Sequence, residues 1–431
     1  MLAFATRKQL KRPQSTRKLR GGKYIGKGTY GCGFSPALRC EGETVRKFGL
    51  FTKLMEESEA EKERAKVGII QPVDPDMKYI LYPVKICKVN ESLIGPHNPE
   101  NNVESCSLGN YPDDLADARA VQYIDGGIDL EKLKVEAYKI LPIFQSLSNL
   151  FLGLHKIHKA GVSHNDIKPP NIVVKEEESG SFIARFIDIG FVHRMSEGIQ
   201  RGDELPFDAN YYPWSYEMRF SIAPIEKPTA KSVRDWYAGY SHSMFNYLPY
   251  EHFYNDDGSK KFTLQTAESL LQSFGIKAES LVPPANGTSR KEKREKEKLR
   301  EKLLEAKISE LVLQKVDTYS LGNVLLYIYD LFLCHRLNKG NIEFHIARTN
   351  AYHSVNSLES QGLPESTRKW HQDVASEISR PYIELCLEMM DFDPSKRRAF
   401  PILLVSYKKI LKKMESYFTK EQIQLHVMQW K

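Results

Sequence analysis

The sequence lacks any long apolar run. Its most hydrophobic stretch, YSLGNVLLYIYDLFLC from Tyr319, is broken by Gly322, Asn323 and Asp330, whereas a membrane-spanning helix needs about 18 or more continuous apolar residues. No membrane insertion is expected, and the stretch reads as a buried helix. No secretory signal is expected either: MLAFATRKQLKRPQ opens on a short apolar segment and offers no small-residue cleavage site. Cysteine is sparse. The six residues, Cys32, Cys40, Cys87, Cys106, Cys334 and Cys386, form no CxxC pair. Their scatter argues against a zinc site or a disulfide frame and for reduced thiols in an intracellular, cytoplasmic setting. Acidic residues are absent between Met1 and Lys23, where eight lysines and arginines fall. A basic tail over residues 1–20 offers its charge to an anionic partner such as nucleic acid or an acidic surface. The competing reading is a solvated, disordered leader, because no aromatic residues interleave the charges. No internal repeat is found.

What is present suffices for a large core: 431 residues, 41% hydrophobic and 27% charged, more than one compact small domain requires. The expected class is α+β, in two lobes. Residues 21–124 read as short strands punctuated by Gly and Pro, with a charged helical run at Leu54 to Val67 and a polar surface loop from Asn90 to Asp117. Residues 125–431 read as mainly helical. There LPIFQSLSNLFLGLHKIH places Leu141, Phe144, Leu147, Leu150, Leu154 and Ile157 on one face. An irregular insertion over 222–312 ends in a charged run followed by Leu299, Leu303, Leu304, Ile308 and Leu311 at helical spacing. This is read as a helix laid on the second lobe, with a short coiled coil as the alternative.

The segment IGKGTYGCGF, covering Ile25, Gly26, Lys27, Gly28, Thr29, Tyr30, Gly31 and Gly33, holds a GxGxxG order. Glycines serve where a backbone must bend tightly and bring its N–H groups to phosphate oxygens. A dinucleotide site would continue into a helix with an acidic residue about twenty positions later. Here Pro and Gly follow, so a strand–turn–strand hairpin fits better. Lys47, in the strand-like run TVRKF and 19 residues beyond Gly28, is then placed to grip nucleotide phosphates. The other reading is an exposed strand residue. A carboxylate from the following helix would aim such a lysine: Glu63 is preferred, with Glu61 and Glu59 as competitors that helical phase does not separate.

Two further segments carry chemistry: HNDIKPPN, from His164 to Asn171, and FIDIGF, from Phe186 to Phe191. Phosphoryl transfer needs positioning and charge neutralisation more than covalent help. Asp166 would orient an acceptor hydroxyl and receive its proton, and Lys168 would steady the γ-phosphate. Asn171 and Asp188 offer hard oxygens suited to Mg2+. The two segments resemble the catalytic loop (HRDxKxxN) and the DFG segment of the protein kinase superfamily, and the order of landmarks from about Tyr24 to about Tyr417 resembles that family. The resemblance implies a small β-rich lobe, a larger helical lobe, ATP and Mg2+ as cofactors, and transfer of phosphate to serine or threonine of protein substrates. It also implies that His164 props the loop, that Glu217 pairs with a buried Arg397, and that Asp317 hydrogen-bonds the catalytic loop. Val121 would be the gatekeeper, Gln122 to Ile124 the adenine hinge and Asp129 a ribose ligand. Asp129 reads equally as an acid at a helix N-terminus.

Four departures stand out. Gly33 takes the place of a valine, Asn165 that of the arginine before the catalytic aspartate, and Ile189 that of the DFG phenylalanine. Between Glu217 and Asp317 lie 99 residues. An arginine at 165 would pair with a phosphorylated activation loop. Residues 191–212 hold only Ser196 as an aliphatic hydroxyl, so activity independent of such phosphorylation is expected. SPALRC, VDPDMKYILYPV and VQYIDGGIDL resemble serine/threonine kinases of large cytoplasmic DNA viruses, which implies host cytoplasm or the virion. The rival readings are a pseudokinase scaffold, a small-molecule or lipid kinase, and a nucleic-acid-binding protein built on the basic tail.

Overall fold

The computed structural model describes residues 23–28, 31–43, 49–89, 117–134, 136–198, 213–215, 218, 310–329, 365–391 and 393–426. Among the described residues, no helix is long and apolar enough to cross a membrane. The loop expected at 90–117, apart from Asp117, the basic tail and nearly all of the 222–312 insertion lie outside them. The chain divides into two units, one of Met1–Glu61 with Pro83–Asp125 and one of Lys62–Tyr82 with Gly126–Lys431. The architecture is α+β, with an antiparallel sheet near the N-terminus and helices later.

The first unit is built on five strands: β1 (Lys23–Gly28), β2 (Gly31–Ser35), β3 (Leu50–Glu56), β4 (Lys85–Lys88) and β5 (Ala118–Ile124). Their spatial order is β1-β2-β3-β5-β4, every neighbouring pair antiparallel. Alternate side chains leave opposite faces. One face buries Cys32, Phe34, Leu54, Ala118 and Ala120 with Leu38 and Val89. The other buries Met55, Val121 and Tyr123 with Ala60 of α1 (Glu57–Ile70). Burial on both sides is why every residue of β5, ARAVQYI, is buried except Ile124.

The connection after β2 folds back across the sheet to its edge. Ala37 N donates to Leu50 O, Leu38 N to Thr52 Oγ1, and Glu41 N to Lys88 O, while Cys40 pairs with Val89 in an antiparallel bridge. Cys40 and Cys87 are joined by a disulfide. This corrects the expectation that all six cysteines are reduced. The partners stand 47 positions apart and meet only because the connection crosses to β4, so no local spacing announces them.

The second unit holds a three-stranded sheet of β6 (Ile128–Asp129), β8 (Ile172–Glu176) and β9 (Phe182–Phe186), and a two-stranded pair of β7 (Val162–Ser163) and β10 (His193–Arg194). Among the described residues its helices are α2 (Ile140–Ser146), α3 (Ser148–Lys159), α4 (Glu310–Tyr329), α5 (Glu365–Val374), α6 (Arg380–Met389), α7 (Phe400–Tyr417) and α8 (Lys420–His426). The apolar stripe read at 141–157 is the core-facing side of α2 and α3: Phe144, Leu147, Leu150, Leu154 and Ile157 are buried. Leu141, expected among them, is only half-buried. Buried tyrosines knit this core with their rings and satisfy their hydroxyls on backbone. Tyr407 stacks on Phe151 at 5.0 Å and donates to Phe144 O at 2.7 Å. Tyr382 donates to Leu325 O at 3.0 Å.

The hydrophobic stretch from Tyr319 lies within α4 up to Tyr329, and α4 already begins at Glu310, inside the expected insertion. Gly322 is required there by packing. A β-carbon on it would stand 2.8 Å from Met389 Cβ and 3.1 Å from Cys386 O of α6. Gly322→Ala should therefore destabilise the fold by about 1–3 kcal/mol, against the gain of about 1 kcal/mol that helix propensity alone predicts. Urea unfolding of the two proteins decides the sign.

Candidate functional site

Two loops of the second unit carry the chemistry read from the sequence. One leaves β7 at His164 and turns through Pro169–Asn171 into β8; the other joins β9 to β10 through Ile187–Val192. Strand pairing fixes both loops at both ends, β8 on β9 with Ile172 opposite Phe186 and β10 on β7 with His193 opposite Ser163. Ile187 N donates to Asn171 O at 2.9 Å. Asp188, the residue after Ile187, has φ of 62°, a left-handed conformation that Asp tolerates better than most residues.

Asp166 is the centre of this geometry. Its side chain is nearly buried, and Lys168 Nζ lies 3.1 Å from Oδ1 and 3.2 Å from Oδ2. Asn171 Nδ2 donates to Oδ2 at 2.7 Å and to the Asp166 carbonyl at 3.0 Å. The Asn171 amide is thereby oriented with its oxygen turned away from Asp166. That oxygen and the Asp188 carboxylate are hard ligands of the kind Mg2+ takes, few in number and completed by water and phosphate. His164 is wholly buried against Phe186, ring centroids 5.3 Å apart, and its Nδ1 accepts from Asp166 N at 3.3 Å. Burial pushes its pKa below the ordinary histidine value, against the raising effect of the Asp317 and Asp188 charges.

The loop hangs on Asp317 of α4. This fully buried carboxylate accepts from His164 N and Asn165 N, each at 2.8 Å, and His158 Nε2 lies 2.8 Å from Oδ2. Burial would raise its pKa, but the hydrogen bond and charge of His158, with the His164 amide, outweigh burial and hold the carboxyl below its usual range. Sequence reading placed Asp317 under the loop only by resemblance, and it missed His158.

Asn165 occupies a left-handed position, φ 62°, and ties the loop to both ends of the segment that follows. Its Nδ2 donates to Ser163 Oγ and to Phe191 O, each at 2.9 Å. Its carbonyl accepts from Trp214 Nε1 at 2.7 Å. Ile189, in the place of a phenylalanine, is buried in the main core. Arg397 is buried, donating to Asp391 O at 2.8 Å and lying 5.3 Å from the Tyr319 ring; Glu217, its expected partner, is outside the described residues.

In the first unit, Ile25, Gly26, Lys27 and Gly28 lie on β1 and Gly31 and Gly33 on β2, with Gly28 opposite Gly31; Thr29 and Tyr30 fall outside the described residues. So does Lys47. The lysine that the third strand does carry is Lys53, opposite Gly33 on one side and Val121 on the other. Its Cγ would lie 3.1 Å from a β-carbon on Gly31, so Lys53 runs along the glycine face of the hairpin. The alternation in LFTKLM is the sequence signal for this strand. In α1, Glu63 is buried, Glu59 half-buried and Glu61 exposed. Gln122 turns its side chain to the opposite sheet face, donating to Leu38 O at 2.7 Å, and Ile124 is exposed. Asp129 accepts from Lys132 N at 2.9 Å and pairs with Lys132 Nζ, the geometry of an acid that caps a turn.

No family model matches the chain. A stretch of 84 residues is 36% identical to the inhibitor of nuclear factor kappa-B kinase subunit alpha of Gallus gallus, covering 18% of this chain and 11% of that protein. Part of this chain is thus similar to a kinase subunit, and the chain spans about a tenth of the length of that curated relative.

The buried carboxylate yields a test. Asp317→Asn keeps the shape but sets an NH2 against one of the two loop amides, and should cost about 2–4 kcal/mol at neutral pH. Because folding lowers the Asp317 pKa, its stabilisation is present above the ordinary carboxylate range and lost as pH falls through the folded value. The gap between wild type and variant in urea titrations should therefore narrow in acid.

Proposed function

We propose that this protein is a two-lobed protein kinase that transfers the γ-phosphate of ATP to serine or threonine hydroxyls of protein substrates. The observation that carries this reading is the Asp166 carboxylate held between the Lys168 ammonium and the Asn171 amide, on a loop whose backbone is anchored by a buried aspartate. A carboxylate so fixed is oriented to accept a proton without having to reorganise.

In the proposed reaction the acceptor hydroxyl lies against Asp166. Its oxygen forms a bond to the γ-phosphorus, the bond from that phosphorus to the β–γ bridging oxygen breaks, and the hydroxyl proton passes to Asp166. Lys168 offsets charge on the transferring group. Lys53, rather than Lys47, is assigned to the nucleotide phosphates, because it is the β3 lysine that lies along the glycine hairpin. Asn171 and Asp188 would hold Mg2+, which when bound neutralises phosphate charge. Of the three α1 glutamates weighed as partners for a phosphate-binding lysine, Glu63 is the buried one.

Incubation of the purified chain with labelled ATP, Mg2+ and basic and acidic test proteins checks the assignment. Asp166→Ala should lower transfer by about 10²–10⁴-fold. Lys53→Met should abolish most of it, and Lys47→Met should leave it near wild type. Equal labelling by wild type and Asp166→Ala would overturn the enzyme reading in favour of a scaffold, and loss in Lys47→Met alone would return the phosphate role to that residue. Phosphoamino-acid analysis identifies the acceptor.

Regulation follows from Asn165. Where an arginine would need a phosphate as partner, the neutral amide already holds Phe191 O and the carbonyl holds Trp214. Ser196, the one aliphatic hydroxyl of 191–212, is exposed. Ser196→Ala protein prepared free of phosphate should match wild type in rate; a large loss restored by Ser196→Glu would show phosphate control instead.

A further inference from the structure

The Cys40–Cys87 bond lies where a covalent link has leverage. Cys40 belongs to the connection that precedes β3, and Cys87 to β4, the strand at the sheet's edge. Cys40 is 2% exposed, whereas Cys87 is half-buried, so one sulfur is reachable and the other is shielded. Around the bond the connection is held by weaker means. Glu41 N donates to Lys88 O, Glu43 pairs with Lys85 at 2.5 Å, and Gln122 Nε2 donates to Leu38 O and lies 3.6 Å from Cys40 Sγ. Gln122 is thus the residue of β5 on which the clasped connection rests. On the same strand, Val121 stands opposite Lys53.

We propose that Cys40–Cys87 is a thiol-exchange site, a clasp whose reduction by a dithiol frees residues 36–43 from the edge strand and lowers affinity for ATP. In the exchange, one thiolate of the dithiol attacks the accessible Cys87 sulfur and displaces Cys40 as a thiolate, which takes up a proton. The second thiolate of the dithiol then attacks its own sulfur in the mixed disulfide and releases Cys87. Two electrons pass from the dithiol, which leaves as a disulfide, to the two cysteines. Opening the clasp removes the constraint on a long chain segment. The Glu43–Lys85 pair, the Gln122 contact and the backbone hydrogen bonds of Ala37, Leu38 and Glu41 then hold the connection without a covalent link, next to β3 and its lysine. The effect on nucleotide rests on the kinase reading; the effect on the clasp does not.

The test uses the full chain, oxidised or treated with dithiothreitol, with alkylation and intact mass to count thiols. Hydrogen exchange at the amides of Leu38, Glu41 and residues 85–89 should accelerate by a factor of about thirty or more on reduction and recover on reoxidation with oxidised glutathione. The variant Cys40→Ser/Cys87→Ser should exchange fast in both conditions. In parallel, the affinity for a fluorescent ATP analogue with Mg2+ should fall several-fold on reduction in wild type and not respond in the variant. Unchanged exchange in wild type shown to be reduced, free Cys40 and Cys87 thiols before treatment, or an equal response in the variant would overturn the clasp. Equal analogue affinity in both states would overturn its link to ATP. Accelerated exchange with no analogue bound in either state would uphold the clasp and remove the kinase reading.

Discussion

A buried carboxylate that accepts two consecutive backbone N–H groups is the constraint on which the site depends. Asp317 takes the amides of His164 and Asn165, and the residue after them is Asp166. Without that anchor, a loop between two short strands would have no reason to keep the carboxylate facing Lys168 and Asn171. A charged group at full burial is costly unless paired and hydrogen-bonded. Here hydrogen bonds come from the two loop amides and from His158 near the end of α3, so α3, α4 and the loop are fixed by one cluster. The large aromatic core around Tyr382 and Tyr407 keeps those helices from shifting.

The two candidate loop segments were legible because their residues are contiguous. HNDIKPPN and FIDIG bring their own turn chemistry, and the strands that bracket them follow at once. The helical half was legible for the same reason: the 141–157 stripe is periodic, and most of its members are buried. The residues that were not legible depend on meetings across the chain. Lys47 and Lys53 sit in adjacent strand-like runs, and only the register with Gly33 and Val121 shows that Lys53 belongs to the third strand. Glu63 could not be told from its neighbours in a helix so rich in glutamate, because charge hides the apolar phase. His158 reads as one more histidine at the end of a helix until Asp317 is placed beside it.

The departures from the kinase pattern have local accounts. Ile189 fills apolar space, which asks for bulk and not for an aromatic ring. Asn165 tolerates the left-handed backbone that its position demands and supplies a short amide where a longer charged side chain would need a charged partner. Gly33 fits beneath Ile25, whose Cγ1 would lie 3.1 Å from any β-carbon placed there, so the hairpin is closed by an isoleucine that leans in from the neighbouring strand.

The strap that carries Cys40 has one more consequence. A sheet ends in a row of unpaired N–H and C=O groups that will accept a strand from any other chain. On the β4 flank the molecule supplies its own partner, since Cys40 pairs with Val89 and Glu41 N reaches Lys88 O. The same crossing that brings two cysteines together therefore acts as a guard against self-association, and a loosened strap would expose a sticky edge.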